Sequence, residues 1–357
     1  METEQLTSVG GLMQESMMSP MHGFDALGSD SIEEPLPTPD PYRVPLLTFT
    51  VPASGTETVE FTIGPQASPV TVYWGDGTSS TVSEFAVTHT YTGLTGGNQV
   101  TITTDKSFTN FFKDTNFSSL ENLTFWWDAI KGTSANLVLK DIGLTRRMNP
   151  TMAGSYSNFN LKGNSISGDF PNSITSVALF IDDNNFTGDL PKYSSSQTNY
   201  VVKGNAFRGA IHDISANAGI NRYSAYGQDD GTKTSFSNPH IMLTGEIPNL
   251  SGCTSLVYYH VGNGGMAEYN KGLANNLTVA ADFDVYEDIE EFYAGTCGLS
   301  ESEVDLILAK FAAKAGTFTN PNKISVGGGN AQPSAAGLAN KVILENAGWT
   351  VLTAPDF

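Results

Sequence analysis

The chain has only two cysteines, Cys253 and Cys297, in 357 residues. Two thiols cannot build a disulfide framework or a cysteine-based zinc centre. Neither has a basic sequence neighbour to lower its pKa, so no reactive thiol is expected. Positive charge is also scarce: 18 Lys and Arg stand against 37 Asp and Glu, a net charge of −19. Such a surface repels duplex nucleic acid and anionic membranes, so neither is expected as a partner. No window approaches the ~18 apolar residues of a membrane span, which excludes helical membrane insertion. The first residues, METEQLTSVGG, carry no basic segment and no continuous apolar stretch, so no secretory signal is expected. A secreted bacterial adhesin would carry one; a virion protein made in the cytoplasm would not.

Catalytic signatures are missing too. The five histidines (His22, His89, His212, His240, His260) are scattered, and no H-x-x-x-H or H-E-x-x-H spacing occurs. There is no G-x-S-x-G elbow and no G-x-x-x-x-G-K-[ST] phosphate loop. Gly327-Gly328-Gly329 lacks the Lys and Thr that grip a phosphate and reads as a tight turn. Glu287, Asp288, Glu290 and Glu291 form an acidic run. A glycosidase pair can hide among so many carboxylates, but the repeats around the run favour a structural role. The expectation is a non-enzyme with no catalytic residues, no cofactor and no metal.

What the chain does hold is Gly, Ser, Thr and Asn, a composition suited to turn-rich β architecture. Residues 1–45 read as an extended docking arm. Five methionines lie in the first 21 positions, and Pro35, Pro37, Pro39, Pro41 and Pro45 favour extended backbone. Flexible Met side chains suit an adaptable contact. Residues 46–105 alternate at period two. LLTFTV, TVEFTI, PVTVYW, AVTHTY and NQVTIT each read as a short strand, with turn signals between them. This predicts a small antiparallel β-sandwich. Tyr73-Trp74-Gly75-Asp76-Gly77-Thr78, followed by Thr88-His89-Thr90-Tyr91, resembles the PKD-type immunoglobulin-like domain. Asp76 is expected to bond local backbone; no second carboxylate is fixed nearby to hold calcium with it.

From residue 106 to 357 the chain is repetitive. Leu161-KGNSISGDFP, Ile181-DDNNFTGDLP and Val202-KGNAFRGAIH align, and Leu139 precedes them by one repeat. Asn164, Asn184 and Asn205 fall in register, as do Gly168, Gly188 and Gly209. The pattern resembles the leucine-rich repeat of the L-x-x-N-x-L-x-G-x-I-P kind, which implies a solenoid with one short strand per coil. Phe159 and Leu161, Leu179 and Ile181, and Tyr200 and Val202 are expected to point inward, with Ile166, Phe186 and Phe207 behind them. The three asparagines are expected to form a structural side-chain ladder that satisfies buried backbone groups. Ile142 stands at the asparagine position of the 139 copy, and Cys297 at that of a later one. Extra sequence at 227–242 and 264–283 is expected to emerge as surface loops.

The C-terminal end reads as a cap of two helices. Ser300 and Glu303 form a capping box ahead of Val304, Ile307, Leu308 and Phe311. A second helix is expected from about Ser334 to Ala347. The segment Gly329-NAQPSAAGLANKVILENAGWTVL resembles C-terminal repeats of bacteriophage structural and tail-fibre-like proteins. Outward-pointing strand residues form a candidate binding face: Phe180, Val201, Tyr258, His260 and Tyr293, with Asn158 and Asn160 beside them. Exposed aromatics and amides suit glycans or protein surfaces.

The fold class expected is therefore mixed: a PKD-like β-sandwich, then a leucine-rich-repeat solenoid with helical capping repeats. The function expected is a virion structural or surface protein, as a capsid decoration, spike or tail-fibre component. Its arm would dock onto other virion proteins, and its solenoid would face a host-surface glycan or protein. Many copies, or a homo-oligomer, are expected to act by avidity. A bacterial cell-surface leucine-rich-repeat adhesin is the first alternative and a glycan-processing enzyme the second.

Overall fold

The computed structural model describes residues 44–51, 55–63, 70–82, 85–94, 98–104, 110–112, 121–125, 132–141, 143–145, 147–149, 151–226, 243–262 and 275–354. The chain divides into two units, residues 1–36 and 37–357. Residues 1–43 of the expected arm lie outside the described residues, as do Ile142 and the insertions at 227–242 and 264–274.

The first part is antiparallel. Strands β1 (Val44–Val51), β2 (Gly55–Ile63), β3 (Val70–Tyr73), β4 (Ser79–Val82), β5 (Phe85–Leu94) and β6 (Asn98–Thr104) are followed by β7 (Asn110–Phe112) and β8 (Glu121–Phe125). The five segments read as strands fall in β1, β2, β3, β5 and β6. One sheet has the order β4-β3-β6-β1-β8. Its Val51, Val70, Val72, Val100 and Ile102, with Trp74 just past β3, are buried, as are Val87 and Tyr91 of β5 in the other layer. The β-branched residues alternate with Thr and Ser, which is the period that buries one face of a strand.

The second layer does not end with this unit. β7 pairs antiparallel with β2 and parallel with β9 (Gly132–Val138). The sheet therefore runs unbroken past residue 105, from β5 and β2 through β7 into the parallel strands. A sheet edge left open would expose unpaired N–H and C=O groups. Here the antiparallel layer closes the first edge of the repeats, as a cap would.

The parallel strands each open one coil: β10 (Gly154–Asn160), β12 (Ile174–Phe180), β14 (Asn199–Val201), β16 (Arg222–Ser224), β18 (Tyr258–His260), β20 (Glu291–Tyr293), β21 (Lys323–Ser325) and β22 (Thr350–Leu352). With β5, β2, β7 and β9 they make one sheet of 12 strands. Shorter return strands, β11 (Ser167–Asp169) with β13 (Asn185–Thr187), and β15 (Gly209–Ala210) with β17 (Leu243–Ile247) and β19 (Asn276–Val279), line the other side. Register places Leu137, Phe159, Leu179, Tyr200, Tyr223, Tyr259, Phe292, Ile324 and Val351 in one inward column, all buried. Its middle is a stack: Tyr200–Tyr223, Tyr223–Tyr259 and Tyr259–Phe292 have ring centroids 5.1, 5.5 and 5.6 Å apart and nearly parallel planes. Offset stacking adds to the apolar burial of each ring.

At the far end lie helices α1 (Glu301–Ala313) and α2 (Ala335–Asn346). Ser300 N–H donates to the Glu303 carboxylate at 2.8 Å, and Glu303 N–H returns to the Ser300 carbonyl. This closes the first turn of α1. Val304, Ile307, Leu308 and Phe311 are its buried face. Ser334 Oγ caps α2 by accepting from the N–H groups of Ala336 and Gly337.

Candidate functional site

The ladder positions hold the coils in register. Asn184 Oδ1 accepts from Ile166 N–H at 3.1 Å, and its Nδ2 donates to the carbonyls of Leu161 and Ile181 at 2.9 and 3.1 Å. Asn164 does the same to Leu144, Leu139 and Leu161, and Asn205 to Phe186, Ile181 and Val202. Each amide thus ties its own coil to the one before. Asn275 and Asn330 occupy the same rung. Asn275 was legible as Asn-x-apolar before Leu277, whereas Asn330, after three glycines, carried no such signal.

Cys297 takes a rung without an amide. Leu277 N–H, which in other coils would bond an asparagine, bonds the Cys297 backbone carbonyl at 2.9 Å. Its thiol needs only weak contacts, 3.6 and 3.9 Å from the carbonyls of Gly295 and Val261. Burial pushes the Cys253 thiol up to about 11 and raises Cys297 further, so neither supplies a thiolate at neutral pH.

The W-G-D-G-T turn is a local structural device. Asp76 Oδ1 accepts from Thr78 N–H and Oγ1 at 2.9 and 2.6 Å, and Oδ2 lies 2.8 Å from His89 Nε2. Partial burial works to raise the Asp76 pKa, but the Thr78 and His89 contacts outweigh it and hold the carboxyl below its ordinary value. The His89 ring stacks on Trp74 at 4.4 Å, and Tyr91 Oη donates to the Trp74 carbonyl at 2.6 Å. Gly75 (φ +77°) sits where a Cβ would come within 2.5 Å of the Gln99 carbonyl, so the turn needs glycine. Among the described residues no three His, Cys, Asp or Glu side chains converge as a metal set. The acidic run is also engaged: Asn320 donates to Glu290 at 3.1 Å and Asn322 to Glu291 at 2.9 Å, tying adjacent coils.

The outer surface of the sheet divides into two columns. Phe180, Val201, His260 and Tyr293 share one of them with Ser224 and Ser325. Phe180 is half-buried, but Val201, His260 and Tyr293 are buried, so these three do not offer an open binding surface. The His260 ring stacks on Tyr293 at 4.2 Å and meets Tyr226 edge-on at 5.4 Å. Tyr258 lies in the other column. There Asn136, Asn158, Ala178, Asn199, Arg222, Tyr258, Glu291 and Lys323 follow one another in register, each half-buried. Arg222, Glu291 and Lys323 are functional candidates that the sequence reading missed. Strand alternation alone does not show that these charged residues align with Tyr258, because the coils that carry them differ in length. Asn160, beside Phe180, bonds the Lys162 N–H with its own side chain.

Two cations of this column lie over aromatic rings, one within the column and one across to the other. The Arg222 guanidinium lies 4.3 Å over the Tyr258 ring, and the Lys323 ammonium 5.5 Å from the Tyr293 ring. Glu291 Oε2 is 3.1 Å from His260 Nε2, off the line of a good hydrogen bond. The His260 contact is the main influence holding the Glu291 carboxyl below its ordinary range, against burial. Burial lowers the His260 pKa more than Glu291 raises it, so at neutral pH a neutral imidazole faces an ionised carboxylate. The column thus offers amide donors and acceptors at one end and a fixed arginine, a phenol edge, a carboxylate and a lysine at the other. No family model matches the chain, and neither the curated proteins nor the solved structures provide a match.

Proposed function

We propose that this chain is a non-enzymatic virion surface protein whose coils present the Asn136-to-Lys323 column to a host-surface glycan. The domain reading proposed with it is a PKD-like sandwich sealing a leucine-rich-repeat solenoid, which ends in helical caps. The observation that carries the reading is the outward column in which Asn136 and Asn158, then Ala178, then Asn199, Arg222 and Tyr258 follow one another, one residue per strand. Adjacent strands lie about 4.8 Å apart, so Asn136 and Asn158 stand one strand spacing apart, and beyond Ala178 the polar groups of Asn199 and Arg222 continue the column at the same spacing, within reach of the hydroxyls of an extended sugar chain. Tyr258, held by Arg222, supplies a flat apolar edge beside them. Single contacts of this kind are weak, and display of many copies on one particle would multiply them.

The test combines placement with binding. Immunogold labelling should decorate particles purified from lysates of the source cells. Purified chain should bind the host envelope polysaccharide, and Arg222→Ala with Tyr258→Ala should weaken that binding at least ten-fold. Label confined to intact cell envelopes would favour the adhesin reading. Equal binding by the double variant would remove the column as the recognition surface.

A further inference from the structure

Large apolar side chains left open to water are few among the described residues, and three of them share one helix. Leu338, Val342 and Ile343 of α2 are 48%, 54% and 47% exposed. Ala335, Ala339 and Asn346 are exposed as well. Positions 335, 338, 339, 342, 343 and 346 follow the three-and-four spacing of a single helix face. That spacing ordinarily marks the side turned to the core. Here the core side is already taken by Gly337 and Leu344, which are buried on the opposite face. The helix therefore has two apolar sides, and only one of them has a partner among the described residues.

We infer that the outer stripe of α2 pairs with the same stripe of a second copy, antiparallel about a two-fold axis. The occupant follows from the chemistry of the stripe. It carries no charge, so two copies meet there without desolvating a carboxylate, although the chain as a whole bears −19. Its sizes are self-complementary. With the axis passing between residues 340 and 341, Val342 stands level with the small Ala339 of the second copy. Leu338 stands level with Ile343 of the second copy, on the opposite flank, so large groups interdigitate rather than collide. The direction follows from charge. Glu345 flanks the stripe in the last turn, and the first turn of α2 holds no acidic residue. Antiparallel pairing sets each Glu345 beside the N-terminal turn of the other helix, the positive end of its dipole. Parallel pairing would set Glu345 against Glu345.

The contact is small. A helix of 12 residues is about 18 Å long, and one helix pair of that length buries less than the ~1,200 Å² of a standard interface. The dimer should accordingly be weak in solution, with a Kd on the order of 0.1 mM, and effective only where copies are held close together. This inference does not depend on the glycan reading, since α2 contributes nothing to the outer column of the sheet.

Sedimentation velocity on the full chain, from about 10 µM to about 1 mM so as to bracket that Kd, tests it. The expected result is a concentration-dependent shift from monomer to dimer. Val342→Glu should weaken the shift at least ten-fold, with an unchanged circular dichroism spectrum because the position is exposed. A monomer at every concentration, or a dimer untouched by Val342→Glu, would overturn the proposal. The register is read by cross-linking with a short bis-maleimide, which is clean because Cys253 and Cys297 are buried. A mixture of Ala339→Cys and Val342→Cys chains should cross-link faster than either alone. Faster linkage within each single variant would overturn the antiparallel arrangement.

Discussion

The coils from β10 to β16 and those from β16 to β22 share one sheet but are built to different standards. In the first set, register partners lie 20 to 23 residues apart: Phe159 with Leu179, Leu179 with Tyr200, and Tyr200 with Tyr223. In the second set the step is 27 to 36 residues, from Tyr223 to Tyr259, Phe292, Ile324 and Val351. The inward column is unbroken across both, and so is the rung at the ladder position wherever it is described. What varies is the return path, which reaches solvent and tolerates length at little entropic cost. A parallel sheet wound from such coils needs a fixed strand and a fixed turn group; the rest of each coil is free to carry helices or insertions.

The comparison breaks most sharply at its junction. Tyr223 is stacked between Tyr200 of the compact coils and Tyr259 of the long ones, and its hydroxyl accepts from His212 N–H at 3.1 Å. Tyr223→Ala removes a fully buried ring from both stacks and should cost about 4 kcal/mol, read as a lower urea midpoint. If the two sets of coils fold independently, the variant should also split the single transition into two.

Asn184→Ala should cost about 3 kcal/mol, because it strands the buried Ile166 N–H and weakens two carbonyl contacts at once. Both coils it joins are short, with no long return segment to rearrange around the gap. The same comparison can be made by proton. Burial lowers the His212 pKa to about 4, from an ordinary 6.5. The unfolded chain therefore binds the extra proton first, and stability present above pH ~6.5 is lost as pH falls toward about 4. The ring is partly exposed, so the loss should be about 2 kcal/mol. His212→Gln should remove that part of the acid dependence in urea melts at pH 7 and 4.5.

Much of this architecture was legible in the residues. The inward pairs, the three asparagines and the capping box at Ser300 are local patterns, and each sits where its spacing placed it. The candidate surface was less legible for a physical reason. Alternation tells which way a strand residue points, but not whether something covers it. His260 and Tyr293 point away from the core, yet they are buried against each other and Tyr226. The continuity of the sheet through β7 was also hidden. A strand that pairs antiparallel on one side and parallel on the other looks the same in sequence as one that does neither.

The smallest effect is the most discriminating. Cys297 stands on a ladder rung, and if every rung mattered equally its loss would match that of Asn184. Its thiol, however, has only the Asn275 side chain and two distant carbonyls as partners, and Leu277 N–H is already held by the Cys297 backbone carbonyl. Asn275 Nδ2 donates to the Val261 carbonyl at 2.6 Å, so that acceptor is satisfied as well. Cys297→Ala therefore removes one buried sulfur and no required hydrogen bond. It should cost about 1 kcal/mol, roughly a third of Asn184→Ala, when the two urea midpoints are compared at equal slope. Equal losses would mean that the rung is held by side-chain packing. The unequal result would locate its strength in the amide bonds between coils.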